Sequence, residues 1–247
     1  MRNHASLQLT HKLAPSARYL CRAIEETLWP TRCALCDMPG AVLCERCKRN
    51  LPYLDQVRAC PRCGAAHGRI ICCECNQIVL DRKGLRTFPL DGCVSTTMLN
   101  STTRRAIVMY KDRGEQRLAS VFARLLAYSI PPAWTQASTL IPIPSRKDAL
   151  RKRGFDHIGL IGRELSRITD LPLLDVLVST GKADQRQLNA QERIHNMRGT
   201  LRVHKPPPPT VILIDDVFTT GSTLFAATAA LRSQGVEQVF GLTFARA

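Results

Sequence analysis

The segment from Val211 to Leu224, VILIDDVFTTGSTL, constrains this chain more than any other. Val211 to Ile214 form a short apolar run of β-branched and leucine residues, the pattern of a strand buried on both faces. Asp215 and Asp216 end that run. A turn of small hydroxyl residues around Gly221 follows, and Leu224 to Gln234 then reads as an alanine-rich helix closed by Gly235. Helix capping needs one hydroxyl or acid, whereas this turn supplies several. Backbone N–H groups at the helix start, with the hydroxyls of Thr219, Thr220, Ser222 and Thr223, can surround a phosphate. The two carboxylates can accept hydrogen bonds from a sugar diol, directly or through a hydrated Mg²⁺.

The segment resembles the phosphoribosyl-pyrophosphate (PRPP) motif of type I phosphoribosyltransferases. The resemblance implies an α/β fold with a mostly parallel sheet flanked by helices. It gives Asp215 and Asp216, as the catalytic pair, to the ribose hydroxyls, the turn of Thr219, Thr220, Gly221, Ser222 and Thr223 to the 5-phosphate, and Val217 to the substrate-binding set. Neither G-x-G-x-x-G nor G-x-x-x-x-G-K-[ST] occurs, which argues against dinucleotide-binding and P-loop readings.

The cysteines are the second constraint. Eleven occur in the chain, and eight of them form consecutive C-x2-C pairs: Cys33/Cys36, Cys44/Cys47, Cys60/Cys63 and Cys72/Cys75. Two thiolates on one tight turn reach a single ion, and two such turns complete a tetrahedron, so the expectation is a pair of structural zinc sites. Sequential use groups Cys33, Cys36, Cys44 and Cys47 apart from Cys60, Cys63, Cys72 and Cys75. Interleaved use is the alternative, but the short loops of the sequential order close at lower entropic cost. Cys73 reads as a spare, Cys21 and Cys93 as small buried residues, and His67 as unnecessary beside a full set of thiols.

Formal net charge is +15, and two Zn(Cys)4 sites would lower it only to about +11. Polyanions or phosphate-rich small molecules are the natural partners of such a chain. Aromatic residues make up 5% of it, too few for a long base-stacking platform. No apolar run approaches a membrane span, and the basic, polar-broken N-terminus lacks the core of a secretory signal. The expectation is therefore no membrane insertion, a cytoplasmic location and a helical lead-in over residues 1–30.

From Gly92 onward helices and strands alternate. Thr103–Lys111, Arg117–Ser129 and Ile158–Ile168 read as helices. Thr139–Pro144, Pro172–Val178, Leu201–Val203 and Val239–Phe244 read as strands. Lys111, in the polar turn YKDRG, is placed to approach an anion. Directly after the strand at Thr139, Ser145–Asp156 reads as a basic loop with five Lys or Arg among its first nine residues. Arg146 and Lys147 there suit a pyrophosphate group, and the loop also suits nucleic acid. Thr180–Arg198, with Lys182, Arg186, Gln187, Arg193, Asn196 and Arg198, reads as either a lid or a charged surface helix.

Four C-x2-C pairs, YKDRG, LIPIPSRKDALRKRGFDHI, DQRQLNAQERIHNM and VILIDDVFTTGST together resemble the ComF family. Its members join a zinc ribbon to a phosphoribosyltransferase-like domain and are linked to natural competence. The resemblance implies a double zinc-ribbon module over 31–80 and a phosphoribosyltransferase-like domain over 92–247. The family pattern RGFNQA reads Arg153 to Ile158 here, with Asp156 and His157 in place of two amides. Gln185, Leu188, Arg193 and Asn196 keep a second pattern. Two functions follow from the resemblance. One is a DNA-uptake protein that binds PRPP or a related phosphorylated sugar and contacts single-stranded DNA, with a competence helicase as a partner. The other is an enzyme moving the 5-phosphoribosyl group of PRPP, with Mg²⁺, to an acceptor with release of pyrophosphate.

Overall fold

The computed structural model describes residues 30–136, 138–180 and 200–247. The lead-in, Cys21 and nearly all of the stretch expected as a lid, with Gln185, Leu188, Arg193 and Asn196, lie outside them. The chain divides into two compact units, one ending at Arg49 and the other running from Asn50 to Ala247. The described part of the first holds Cys33 to Cys47 and one short helix, α1 (Glu45–Arg49).

The second unit begins with the remaining cysteines and α2 (Gln77–Arg82), whose first turn is capped by the Asn76 side chain on Val79 N. Four parallel strands follow, in the order β1 (Gly92–Met98), β6 (Gln238–Arg246), β5 (Thr210–Phe218), β2 (Thr139–Pro142). Because each parallel pair needs a crossover, helices cover the sheet. They are α3 (Ser101–Lys111), α4 (Leu118–Ser129), α6 (His157–Thr169) and α7 (Ser222–Arg232), with the short α5 (Lys147–Arg153) between β2 and α6. Val211 to Ile214 and Val239, Leu242 and Phe244 are fully buried, as strands covered on both faces require.

Several expectations need correction. The acid pair does not end its strand: β5 continues through Asp215 and Asp216, because β6 pairs with it as far as Phe218 opposite Arg246. The basic loop is largely helical. Asp148 in the first turn of α5 and Arg151, Lys152 and Arg153 in the last match the helix dipole, and Gly154 at φ +77° ends it. The strand expected over Pro172–Val178 shrinks to β3 (Leu177–Ser179), which pairs antiparallel with β4 (Leu201–Val203) outside the main sheet. Strand β1 carries no apolar alternation to reveal it. Its buried Ser95 and Thr97 are satisfied across the sheet by Thr243 Oγ1 at 2.7 Å and the Phe244 carbonyl at 2.8 Å.

Candidate functional site

Parallel strands deliver their carboxyl ends to one rim, and there β5 places Asp215 and Asp216 just before the Thr219–Thr223 turn. Gly221 stands at φ +80°, a left-handed conformation that a side chain would strain. A Cβ there would also lie 2.6 Å from the Phe225 ring and 2.8 Å from the Phe218 ring. Glycine thus lets the turn lie close over two aromatic side chains. The turn leads into α7, whose N-cap Gly221 offers no side chain; the Ser222 N–H donates to Thr220 Oγ1 at 3.4 Å, inside the turn itself. Thr220 Oγ1 and Ser222 Oγ are 2.6 Å apart, and one shallow cleft joins Asp215, Phe218, Thr219, Gly221, Ser222 and Thr223.

The two carboxylates have different surroundings. Asp216 Oδ2 accepts from Lys111 Nζ at 2.5 Å and lies 3.5 Å from His157 Nε2. Burial alone would raise its pKa, but the His157 contact and the Lys111 charge hold it well below the usual carboxylate range. Asp215 accepts from the Asp216 backbone N–H at 2.8 Å. Burial, then the neighbouring Asp216 charge, push its carboxyl well above that range. One acid is held ionised and its neighbour is disposed to keep a proton.

His157 is buried and held on every side. Its Nδ1 lies 3.0 Å from Ser145 Oγ and 3.2 Å from Arg153 Nη1, and its carbonyl accepts from the Tyr110 hydroxyl at 2.5 Å. Of the expected anion ligands, Lys111 is thus engaged with Asp216. Arg146 is paired with the exposed Asp148 at 3.0 Å, and Lys147 opens α5. Reading the sequence alone missed Ser145 and Tyr110. Both stand inside motifs already singled out, but nothing in their spacing shows that they converge on a histidine.

Both cysteine tetrads gather in sequential order, and in each set the four sulfurs lie within 4.8 Å of one another. Cys36 and Cys44 sulfurs are 3.7 Å apart, Cys60 and Cys75 3.6 Å, and Cys63 and Cys72 3.5 Å. Zn–S bonds of about 2.3 Å in a tetrahedron require a sulfur separation of about 3.8 Å, so both sets could hold zinc. Cys73 is exposed and Cys93 buried, both apart from the tetrads.

Comparison with known proteins adds an independent line. The chain is 40% identical over 111 residues to Competence protein F of Haemophilus influenzae, a match spanning 42% of the chain and 48% of that protein. Thus it covers about half the length of that relative. It is 23% identical over 200 residues to Competence protein ComFC of Bacillus subtilis, 80% of each chain. The crystal structure of orotate phosphoribosyltransferase from Aeropyrum pernix aligns at a TM-score of 0.36 and 20% identity, over 68% of this chain and 92% of that one. No family model matches the chain. Among the described residues, no helix is long and apolar enough to cross a membrane.

Proposed function

We propose that the chain, which is similar in sequence to competence proteins of the ComF type, binds PRPP or a related phosphorylated sugar, with Mg²⁺, in the course of DNA uptake. One observation carries the reading: an acid pair, a hydroxyl-rich glycine turn and an uncapped helix N-terminus share one rim of a parallel sheet. The turn from Thr219 to Thr223 receives the 5-phosphate through its hydroxyls and the first N–H groups of α7. Asp215 and Asp216 receive the ribose hydroxyls. Arg146 and Lys147 at the start of α5, with Lys111, receive the pyrophosphate group. Carboxylate oxygens are the donors that Mg²⁺ takes, and the ion would neutralise the diphosphate. Two structural zinc ions complete the protein.

Arg151 and Lys152 form an exposed basic turn of α5, a surface suited to the phosphates of single-stranded DNA. Neutralising it should flatten the salt dependence of DNA binding.

Calorimetric titration of PRPP with Mg²⁺ into zinc-loaded protein tests the reading, with Asp215→Ala/Asp216→Ala alongside. Binding that the double variant loses is the expected result. Absence of heat in a folded wild-type protein would overturn the reading. A second reading, phosphoribosyl transfer, rests on the same acid pair in its two settings, Asp216 against Lys111 and Asp215 on the Asp216 backbone N–H. Pyrophosphate release that depends on one particular nucleobase would establish it.

A further inference from the structure

Arg246, near the end of β6, is the most deeply buried of the charged side chains described, at 2% exposure. A lone buried guanidinium is costly, so its partners define its purpose. Nη1 donates to the Cys63 carbonyl at 2.5 Å, and Nη2 lies 3.8 Å from the Cys63 sulfur and 2.5 Å from Glu74 Oε2. The guanidinium carbon, Cζ, lies 4.3 Å from the centroid of the Phe218 ring. Nε has no hydrogen-bond partner, which a purely structural ion pair would be expected to satisfy.

Those contacts form a short physical chain. Cys63 belongs to the second tetrad, and Phe218 is the last residue of β5. Phe218 is one of the two rings against which Gly221 must close. An N–H directed at a metal-bound sulfur tempers the negative charge of a tetrathiolate site and fixes that ligand's orientation. A flat cation stacked on an aromatic face fixes the ring beneath it.

We propose that Arg246 is a positioning residue linking the second metal centre to the phosphate turn, so that metal at Cys60, Cys63, Cys72 and Cys75 and phosphosugar at Thr219–Thr223 favour each other. This coupling rests on the PRPP reading of the turn. With metal bound, Cys63 presents its carbonyl and sulfur to the guanidinium, which lies over Phe218 beside the turn. With metal removed, the tetrad of Cys60, Cys63, Cys72 and Cys75 loses the ion that closes it, and the guanidinium loses its fixed partner. By linkage, each ligand must tighten the other by the same factor.

The test is zinc release from the full-length protein to a chromogenic chelator, with and without saturating PRPP and Mg²⁺, beside calorimetry of PRPP. Cys36→Ser identifies the phase belonging to the second tetrad. In wild type, PRPP should slow that phase by about fivefold or more and leave the first tetrad unchanged. Arg246→Met should weaken zinc at the second tetrad by about 10–100-fold and weaken PRPP as well. Arg246→Lys keeps the charge without the plane, so it should restore zinc retention more than PRPP affinity. Glu74→Gln leaves the guanidinium in place and serves if Arg246→Met fails to fold: its expected effect is a smaller loss in the same phase. Intact PRPP binding with zinc release indifferent to both Arg246 variants and to PRPP would overturn the role of Arg246. No PRPP binding by wild type would overturn the reading of the turn, and the coupling with it.

Discussion

The two tetrads share one ligand chemistry and one spacing, yet they are embedded differently. Cys33, Cys36, Cys44 and Cys47 lie in a small unit with a single five-residue helix among its described residues. Cys60, Cys63 and Cys75 are counted in the same buried cluster as Val211, Leu213, Phe218, Leu224 and Phe225. A metal can therefore serve as a local staple in the first unit and as part of the core in the second.

The largest expected effect comes from removing one ligand at a time. A structural zinc site contributes about 10–16 kcal/mol in isolated fingers, comparable with the 5–15 kcal/mol that typically holds a whole domain. Cys63→Ser should therefore halve the zinc content and abolish the cooperative melting of the second unit. Cys36→Ser should halve the zinc content and leave that melting in place. Metal analysis with scanning calorimetry on both variants checks this, and equal damage from the two would erase the distinction.

Glycines sharpen the same contrast at lower amplitude. Gly64 sits at φ +74° with the Cys93 carbonyl oxygen 2.7 Å from where a Cβ would stand. Gly40 sits at φ +103° with nothing within 4 Å. Gly64→Ala must strain its backbone and also displace β1, about 2–4 kcal/mol in all. Gly40→Ala strains only the backbone, about 1 kcal/mol. Urea unfolding of the pair should show midpoints separated accordingly.

Legibility in the sequence followed the range of each interaction. The turn at Gly221, the grouping of eight cysteines into two tetrads and the helices α3, α4 and α6 are set by local spacing, and the sequence displays them to within a few residues. Strand β1 was hidden because its buried hydroxyls are satisfied from β6, 148 residues away in the case of Ser95 and Thr243. The helical nature of α5 was hidden by its charge, since Arg and Lys are read as solvent-seeking before they are read as dipole partners. Arg246 carried no motif at all, and its meaning comes from Cys63, 183 residues earlier.

The acid pair tests whether the rim beside the second tetrad is tuned for a ligand or for stability. Asp216 has a lowered folded-state pKa, so its stabilisation is present above the usual value of about 3.9 and is lost as pH falls. Asp215 has a raised one, so its charge penalty is absent below that value and grows as pH rises. Asp216→Asn leaves Lys111 without its anion, and partial exposure of the pair (27% and 14%) limits the loss to about 1–3 kcal/mol. Asp215→Asn should raise the melting temperature by about 2–4 °C near neutral pH while weakening PRPP, the trade expected of a strained site. Urea midpoints between about pH 3 and 7 should show the first deficit shrinking toward acid and the second gain growing toward neutrality.

The smallest effect belongs to Cys73, and it is informative because it should be near zero. Cys73 stands between Cys72 of the tetrad and Glu74, exposed and outside the tetrad. Were the second centre to use its thiols interchangeably, Cys73→Ser would weaken zinc and, through Cys72, disturb the closure on Cys60, Cys63 and Cys75. The sulfurs of Cys63 and Cys72 are already 3.5 Å apart, and Cys72 Sγ accepts from the Glu74 backbone N–H at 3.4 Å. That bond fixes which of the adjacent cysteines faces inward, because neighbouring side chains cannot both turn toward one ion on so short a loop. Cys73→Ser should therefore retain both zinc ions and the wild-type melting profile, and also remove the fast thiol modification expected of an exposed cysteine. Loss of a zinc equivalent in that variant would mean that the second tetrad is assembled less rigidly than its burial in the core requires.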